Sequence, residues 1–244
     1  MRSLYYYFMP QVYSISNTGK KIPDELHGKI NSLPIAGKPY AAFDLDNTLL
    51  IGDIGEAVFA LLARKKLIKN FGWKDYLSLI EKNKLKAYKR IIDVMQGLQL
   101  GILEEVTLEV LNKKAAISIE GYKIAIPKRS EMMRLILEML AEKGISIYVI
   151  TASNEVSAAI ICKKYFGIPA SHIIGAEVSI DKKGIIQAGE KEFPYAKGKV
   201  NILKKRFKNK PLVTGGDSPG DKYLINYTAK GGISLWLGKA VESL

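Results

Sequence analysis

Short apolar runs recur along the chain, separated by segments in which apolar residues return every three or four positions. The runs Pro39 to Leu45, Ile145 to Ile150, His172 to Ala176, Pro211 to Gly215 and Gly232 to Leu237 are short and mostly apolar. Such runs mark strands buried on both faces. Between them, Ser130 to Lys143 places Met132, Leu135, Ile136, Met139 and Leu140 at helical spacing, with Pro127 ahead of it and Gly144 as its stop. Asn154 to Phe166 and Lys199 to Lys208 follow the same rule. Strand, helix and strand in alternation predict an α/β fold: a Rossmann-like, doubly wound parallel sheet with right-handed crossovers.

One stretch breaks the alternation. From Ile54 to Ala125 strand signals vanish, and amphipathic segments follow one another at Ile54 to Leu67, Trp73 to Glu81, Leu85 to Leu98 and Leu103 to Ala115. The pattern predicts a helical cap domain, residues 54–125, inserted into an α/β core formed by residues 39–53 and 126–244. Placed over the sheet edge, such a lid would exclude water and select the substrate. Residues 1–38, punctuated by Gly19, Pro23, Pro34 and Gly37, form an N-terminal extension with room for one short helix near Asp24 to Asn31.

Composition changes this picture little. At 244 residues with 48% hydrophobic side chains the chain can fill a substantial core. No apolar run approaches the roughly 18 residues of a membrane span, and the start Met1-Arg2-Ser3-Leu4-Tyr5-Tyr6-Tyr7-Phe8 lacks the pattern of a secretory signal. A cytoplasmic enzyme is expected. The single Cys162, in an apolar run, reads as a packed helix side chain. The net charge of +13 would attract polyanions, and Lys204-Lys205-Arg206-Phe207-Lys208-Asn209-Lys210 could touch phosphates. The charges are nevertheless spread along the chain, lysine dominates, and no nucleic-acid motif accompanies them, so a solvated lysine-rich surface is the expectation and nucleic acid is not expected as a partner.

The chemistry gathers where the strands end. Phe43-Asp44-Leu45-Asp46-Asn47-Thr48 puts two carboxylates two residues apart at the end of the first core strand, where open α/β sheets bind ligands. One can attack an electrophile while the other moves protons, and a divalent cation would offset their repulsion. Thr151-Ala152-Ser153-Asn154 ends a second strand in a hydroxyl just ahead of a helix, an oxyanion subsite. Ala196-Lys197-Gly198-Lys199-Val200 supplies cations at the head of another helix. Gly215-Gly216-Asp217-Ser218-Pro219-Gly220-Asp221 sets two acids four apart in a tight loop, hard oxygen ligands of the kind that suit Mg²⁺.

In this order the four segments resemble the motifs of the haloacid dehalogenase superfamily: Asp44-x-Asp46-x-Thr48, Thr151, a lysine, and Gly216-Asp217-x-x-x-Asp221. The helical insertion is similar to the cap of that superfamily's phosphoserine phosphatase branch. The resemblance implies an Mg²⁺-dependent phosphatase acting on a small phosphorylated metabolite. Asp44 would be the nucleophile that becomes an aspartyl phosphate, and Asp46 the acid and base. Thr151 and Lys197 would bind the phosphoryl oxygens, with Lys199 as the alternative lysine. Mg²⁺ would be held by Asp44, Asp217 and the Asp46 carbonyl, with Thr48 and Asp221 in support. Asp46 argues against true dehalogenation, which has no leaving oxygen to protonate.

For substrate binding the resemblance points to Ser153, Gly216 and the cap-hinge acids Asp53 and Glu56, an anionic pair suited to an amine or choline-type head. Equally, acids at a helix start complement its dipole. The cap aromatics Phe59, Phe71, Trp73, Tyr76 and Tyr88 fit either a cage for such a head or ordinary core. Two other activities fit the same sequence: a phosphotransferase with the same aspartyl-phosphate chemistry, and a basic nucleic-acid-binding protein with a vestigial site. The sequence leaves the oligomeric state open.

Overall fold

The computed structural model describes residues 11–187, 189 and 191–238. The aromatic cluster near Tyr5 and the start of the 1–38 extension lie outside the described residues. Six strands, β1 (Gln11–Ser14), β2 (Tyr40–Phe43), β3 (Ser146–Asn154), β4 (Ile173–Ala176), β5 (Val213–Gly216) and β6 (Ile233–Trp236), form the central sheet in the order β1-β6-β5-β2-β3-β4. Pairing is parallel between β1 and β6, β6 and β5, β5 and β2, and β2 and β3. Every residue of β2, β5 and β6 is buried, as strands covered on both faces must be. This is the Rossmann-like α/β fold that the alternating pattern predicts.

The helices are α1 (Asp24–Asn31), α2 (Ile54–Arg64), α3 (Trp73–Lys82), α4 (Lys84–Asp93), α5 (Leu100–Asn112), α6 (Glu131–Glu142), α7 (Glu155–Phe166), α8 (Lys197–Arg206) and α9 (Lys222–Ile225). Among the described residues no helix is long and apolar enough to cross a membrane.

The described residues of Met1–Ile51, Arg129–Ile150 and Pro194–Leu244 make one compact unit, and those of Gly52–Lys128 and Thr151–Phe193 a second. In the first, Ser130 caps α6 by accepting the Met133 N–H at 3.3 Å. Met132, Met133, Ile136, Leu137 and Leu140 form the buried face of α6. In the second, α2 is buried at eight of its positions from Ile54 to Leu62, α5 packs on α7, and the buried hydroxyls of Thr107 and Ser157 meet at 2.7 Å between them. Cys162 is fully buried on α7.

Two features differ from the sequence expectation. The strand β1 lies within the stretch read as an N-terminal extension. Its exposed positions Gln11, Val12 and Ser14 carry no apolar run, because a sheet-edge strand need not be buried. The all-helical stretch ends in an antiparallel hairpin, Ile117–Ile119 with Tyr122–Ile124. Its turn residues Glu120 and Gly121 both take positive φ, 51° and 89°, as a two-residue hairpin turn requires. Three-residue strands are too short to show a period of two.

Candidate active site

Strand β2 delivers Asp44 to the carboxyl edge of the sheet. The Asp44 N–H still donates to Gly215 O of β5 at 2.9 Å, and its backbone is extended (φ −64°, ψ 161°). The chain then turns tightly through Leu45–Leu49, with Asn47 in the left-handed region at φ 56°. The Asn17 side-chain amide donates to the Asn47 carbonyl at 2.6 Å, which pins the turn. Asp46 sits inside it with extended angles and is half-buried. Thr48, fully buried, sets its hydroxyl 3.3 Å from Asp44 Oδ2 and 3.4 Å from Asp217 Oδ1, joining the two acidic loops.

Strand β5 ends in glycines because there is no room for side chains. A Cβ on Gly215 would come within 2.6 Å of the Phe43 ring, and one on Gly216 would overlap the Asp221 side chain. Gly216→Ala is therefore expected to cost about 1–3 kcal/mol of stability and to lower turnover by displacing Asp221. Denaturant unfolding and a kinetic assay check both. Thermodynamics and turnover equal to wild type would show that the loop relaxes freely.

The lysine that reaches Asp44 is Lys199, not Lys197. Lys199 is 2% exposed; its ammonium donates to Asp44 Oδ1 at 2.5 Å and to Asp221 Oδ1 at 2.6 Å. The other oxygen of Asp221 accepts from the Ser218 hydroxyl at 2.8 Å and from the Ser218 and Asp217 N–H groups at 3.2 and 3.3 Å. Lys197 is exposed, and its ammonium lies 5.6 Å from the Tyr223 ring centre. The reason is helical phase. Ala196, at φ 51° and ψ −123°, turns the chain into α8, so Lys197 and Lys199 are the first and third residues, about 200° apart around the axis. Lys199 shares its side of the helix with Leu203, also buried. That shared burial at i and i+4 was the available sequence signal.

Three carboxylates, Asp44, Asp217 and Asp221, have oxygens within 4.8 Å of one another, against a single ammonium, that of Lys199, among the described residues. A surplus of negative charge raises acid and base pKa values alike. Burial pushes Asp44 well above the carboxylate range; Lys199 pulls it down, and Asp221, Asp217 and Asp46 add to the rise. Burial works against the Lys199 charge, but Asp221 and Asp44 outweigh it and hold the ammonium protonated. Asp217 is pushed up to about 7, by burial first and then by the Asp221 charge. Clustered hard oxygens with an unneutralised negative surplus fit a divalent cation of the Mg²⁺ kind.

These shifts carry a pH consequence. Between its ordinary value near 3.8 and about 7, Asp217 holds a proton in the folded state that it releases on unfolding. Without metal, its contribution to stability is therefore greatest below about pH 4 and falls as pH rises through 7. Asp217→Asn removes that dependence. The metal-free variant should melt several degrees above metal-free wild type at pH 8 and close to it at pH 4. An equal difference at both pH values would contradict the assignment.

The remaining expected residues fall in the second unit. Thr151 is 1% exposed, and its Oγ1 accepts the Ser153 N–H at 3.1 Å. A Cβ on Gly55 would fall 2.5 Å from Ser153 Oγ. Asp53 caps α2, its Oδ1 accepting the Glu56 N–H at 2.8 Å, so one of its oxygens serves the helix start. Glu56 accepts the Tyr76 hydroxyl at 2.7 Å. Phe59, Phe71, Trp73 and Tyr76 pack on one another with ring centres 5.3 to 6.1 Å apart. That is core packing, not an open cage.

The sequence profile of haloacid dehalogenase-like hydrolases matches residues 41–225, most of the chain, including Asp44, Asp46, Thr48, Thr151, Lys199, Asp217 and Asp221. The chain belongs to that family. No curated protein matches the sequence of this haloacid dehalogenase-like hydrolase. Solved structures do match its fold. A conserved protein of unknown function from Anaerococcus prevotii DSM 20548 aligns with a TM-score of 0.60 at 16% identity, covering 85% of this chain and 84% of that one. A substrate-bound phosphoserine phosphatase complex aligns at 0.55 and 12% identity, covering 83% and 87%. A phospho-aspartyl intermediate analogue of phosphoserine phosphatase aligns at 0.54 and 13%, covering 83% and 94%. At such identities the likeness is one of fold.

Proposed function

We propose that this hydrolase is an Mg²⁺-dependent phosphatase that cleaves a small phosphomonoester through an aspartyl phosphate on Asp44. The observation that carries the reading is the Asp44–Lys199–Asp221 chain beside Asp217: a carboxylate fixed by a buried cation, next to a cluster fit for a divalent metal. Fold likeness to phosphoserine phosphatases supports it as analogy.

A carboxylate oxygen of Asp44 attacks phosphorus, and the bond from phosphorus to the ester oxygen breaks. Asp46 gives its proton to that leaving oxygen. Asp46 then takes a proton from a water that attacks the phosphoryl phosphorus, freeing inorganic phosphate and restoring Asp44. Lys199 neutralises charge at the nucleophile and on the phosphoryl oxygens, and Asp221 positions Lys199. Thr151 keeps the oxyanion task that the family resemblance assigns. Thr48 holds Asp44 and Asp217 in register. Mg²⁺, held by the carboxylates of Asp44 and Asp217 and the Asp46 carbonyl, would supply charge neutralisation for the phosphoryl group.

For the substrate head, Asp53 and Glu56 are the readers of a cation, each with one oxygen engaged, by the Glu56 N–H and by the Tyr76 hydroxyl respectively. Burial and the Glu56 charge keep the Tyr76 phenol protonated, so it remains the donor that anchors Glu56. The test is phosphate release from phosphoserine, phosphoethanolamine, phosphocholine, sugar phosphates and nucleotides, with Mg²⁺ or chelator. Mg²⁺-dependent release, fastest for an amine-bearing ester, is expected. Chelator-insensitive release, or none from any ester, would overturn the reading.

A further inference from the structure

Helices α8 and α9 of the first unit frame a groove of about 270 Å³ that plays no part in the proposed chemistry. Lys197, Val200, Asn201 and Lys204 line it from α8, and Tyr223, Asn226 and Tyr227 from α9 and its end. On α8 these positions share the side opposite buried Lys199. The groove contains no carboxylate.

The groove lysines, and Lys210 beside the groove, are gathered on aromatic rings. The Lys197 ammonium lies 5.6 Å from the Tyr223 ring centre. Lys204 and Lys210 lie 5.6 and 5.3 Å from the single Tyr227 ring. Among the described residues none of these three lysines forms an ion pair, although Lys65, Lys113, Lys191 and Lys199 all do. Two like charges at one ring, with no ion pair to either among the described residues, favour an anion from outside. Tyr223 is 42% exposed, and Asn201 and Asn226 add amides that both donate and accept.

We propose that this groove binds single-stranded nucleic acid, with the lysines on phosphates and the exposed Tyr223 ring under a base. Lys197 and Lys204 are seven residues apart, about 10 Å along the helix, far enough to meet different phosphates of one strand. Cations interleaved with exposed aromatics are how proteins track single strands without reading sequence. An anionic lipid surface would call instead for large aliphatic side chains beside the lysines, and Val200 is the sole aliphatic lining residue. The scattering of these residues over positions 197 to 227 hides the cluster in the sequence.

The experiment is fluorescence anisotropy of a labelled dT oligonucleotide against full-length protein across a salt series. Wild type, Lys204→Gln/Lys210→Gln, Tyr223→Ala and an off-groove control, Lys82→Gln/Lys84→Gln, are compared after circular dichroism has shown each to be folded. Wild type should bind with a steep salt dependence. The groove double variant should lose about 1.4 from the log–log slope, near 0.7 for each lost phosphate contact. Tyr223→Ala should weaken binding about tenfold, and the control should change neither quantity by half as much. Absence of wild-type binding overturns the proposal. So does an equal loss in the control, which would mark diffuse attraction, or displacement of the oligonucleotide by anionic vesicles but not by unlabelled dT.

Discussion

Asp44→Asn is expected to abolish turnover, by a factor on the order of 10⁴ to 10⁶, the range found when a covalent nucleophile is removed, while leaving the protein folded. The amide cannot form the phosphoryl intermediate, yet it occupies the same volume and can still accept from Lys199. Because burial and three neighbouring acids raise the Asp44 pKa, exchanging the carboxylate for a neutral amide relieves repulsion within the cluster. The metal-free variant should therefore melt no lower than metal-free wild type. Turnover within tenfold of wild type would remove Asp44 as nucleophile, and a large loss of thermal stability would show that its charge holds the loops together.

Lys199→Ala is expected to fail in both respects. It leaves Asp44 and Asp221 buried without their shared cation, and removing one partner of a buried ion pair costs about 3–5 kcal/mol. Losing a charge donor aimed at the reacting group costs a further factor of about 10² to 10³ in kcat. The contrast with Lys197→Ala separates the two lysines. Lys197 is exposed with one ring contact, so its removal should cost about 1 kcal/mol at most. Thermal unfolding of both variants with and without Mg²⁺, read beside kcat, tests the assignment. A destabilised Lys197→Ala protein beside a normal Lys199→Ala protein would reverse it.

The two lysines also show where sequence reasoning reaches and where it stops. Asp44 and Asp46 are legible because a buried strand has to end somewhere and a pair of acids at its carboxyl edge is conspicuous. Asp217 and Asp221 are legible for the same reason, after the run that became β5. The motif spacing favours Lys197, yet it is Lys199 that reaches Asp44, because the two differ only in helical phase, and the phase depends on how the chain turns at Ala196. The packing of Lys199 on the side of Leu203 carries that information, but a lysine counted as polar conceals it. Asp53 illustrates the converse. Its place ahead of α2 fits a cationic subsite and a helix cap alike, and only the hydrogen bond from the Glu56 N–H shows the cap. The strand β1 escaped because its side chains are largely exposed. The core strands declared themselves because they are not.

The most direct test of the account is chemical trapping of the intermediate. Protein turning over its best phosphomonoester with Mg²⁺ is quenched with borohydride, which reduces an acyl phosphate to the alcohol and so turns an aspartyl phosphate into homoserine, and the peptides are read by mass spectrometry. Homoserine is expected at position 44, dependent on both substrate and Mg²⁺. Homoserine at another aspartate, or phosphate release with no acyl phosphate at any residue, would contradict it.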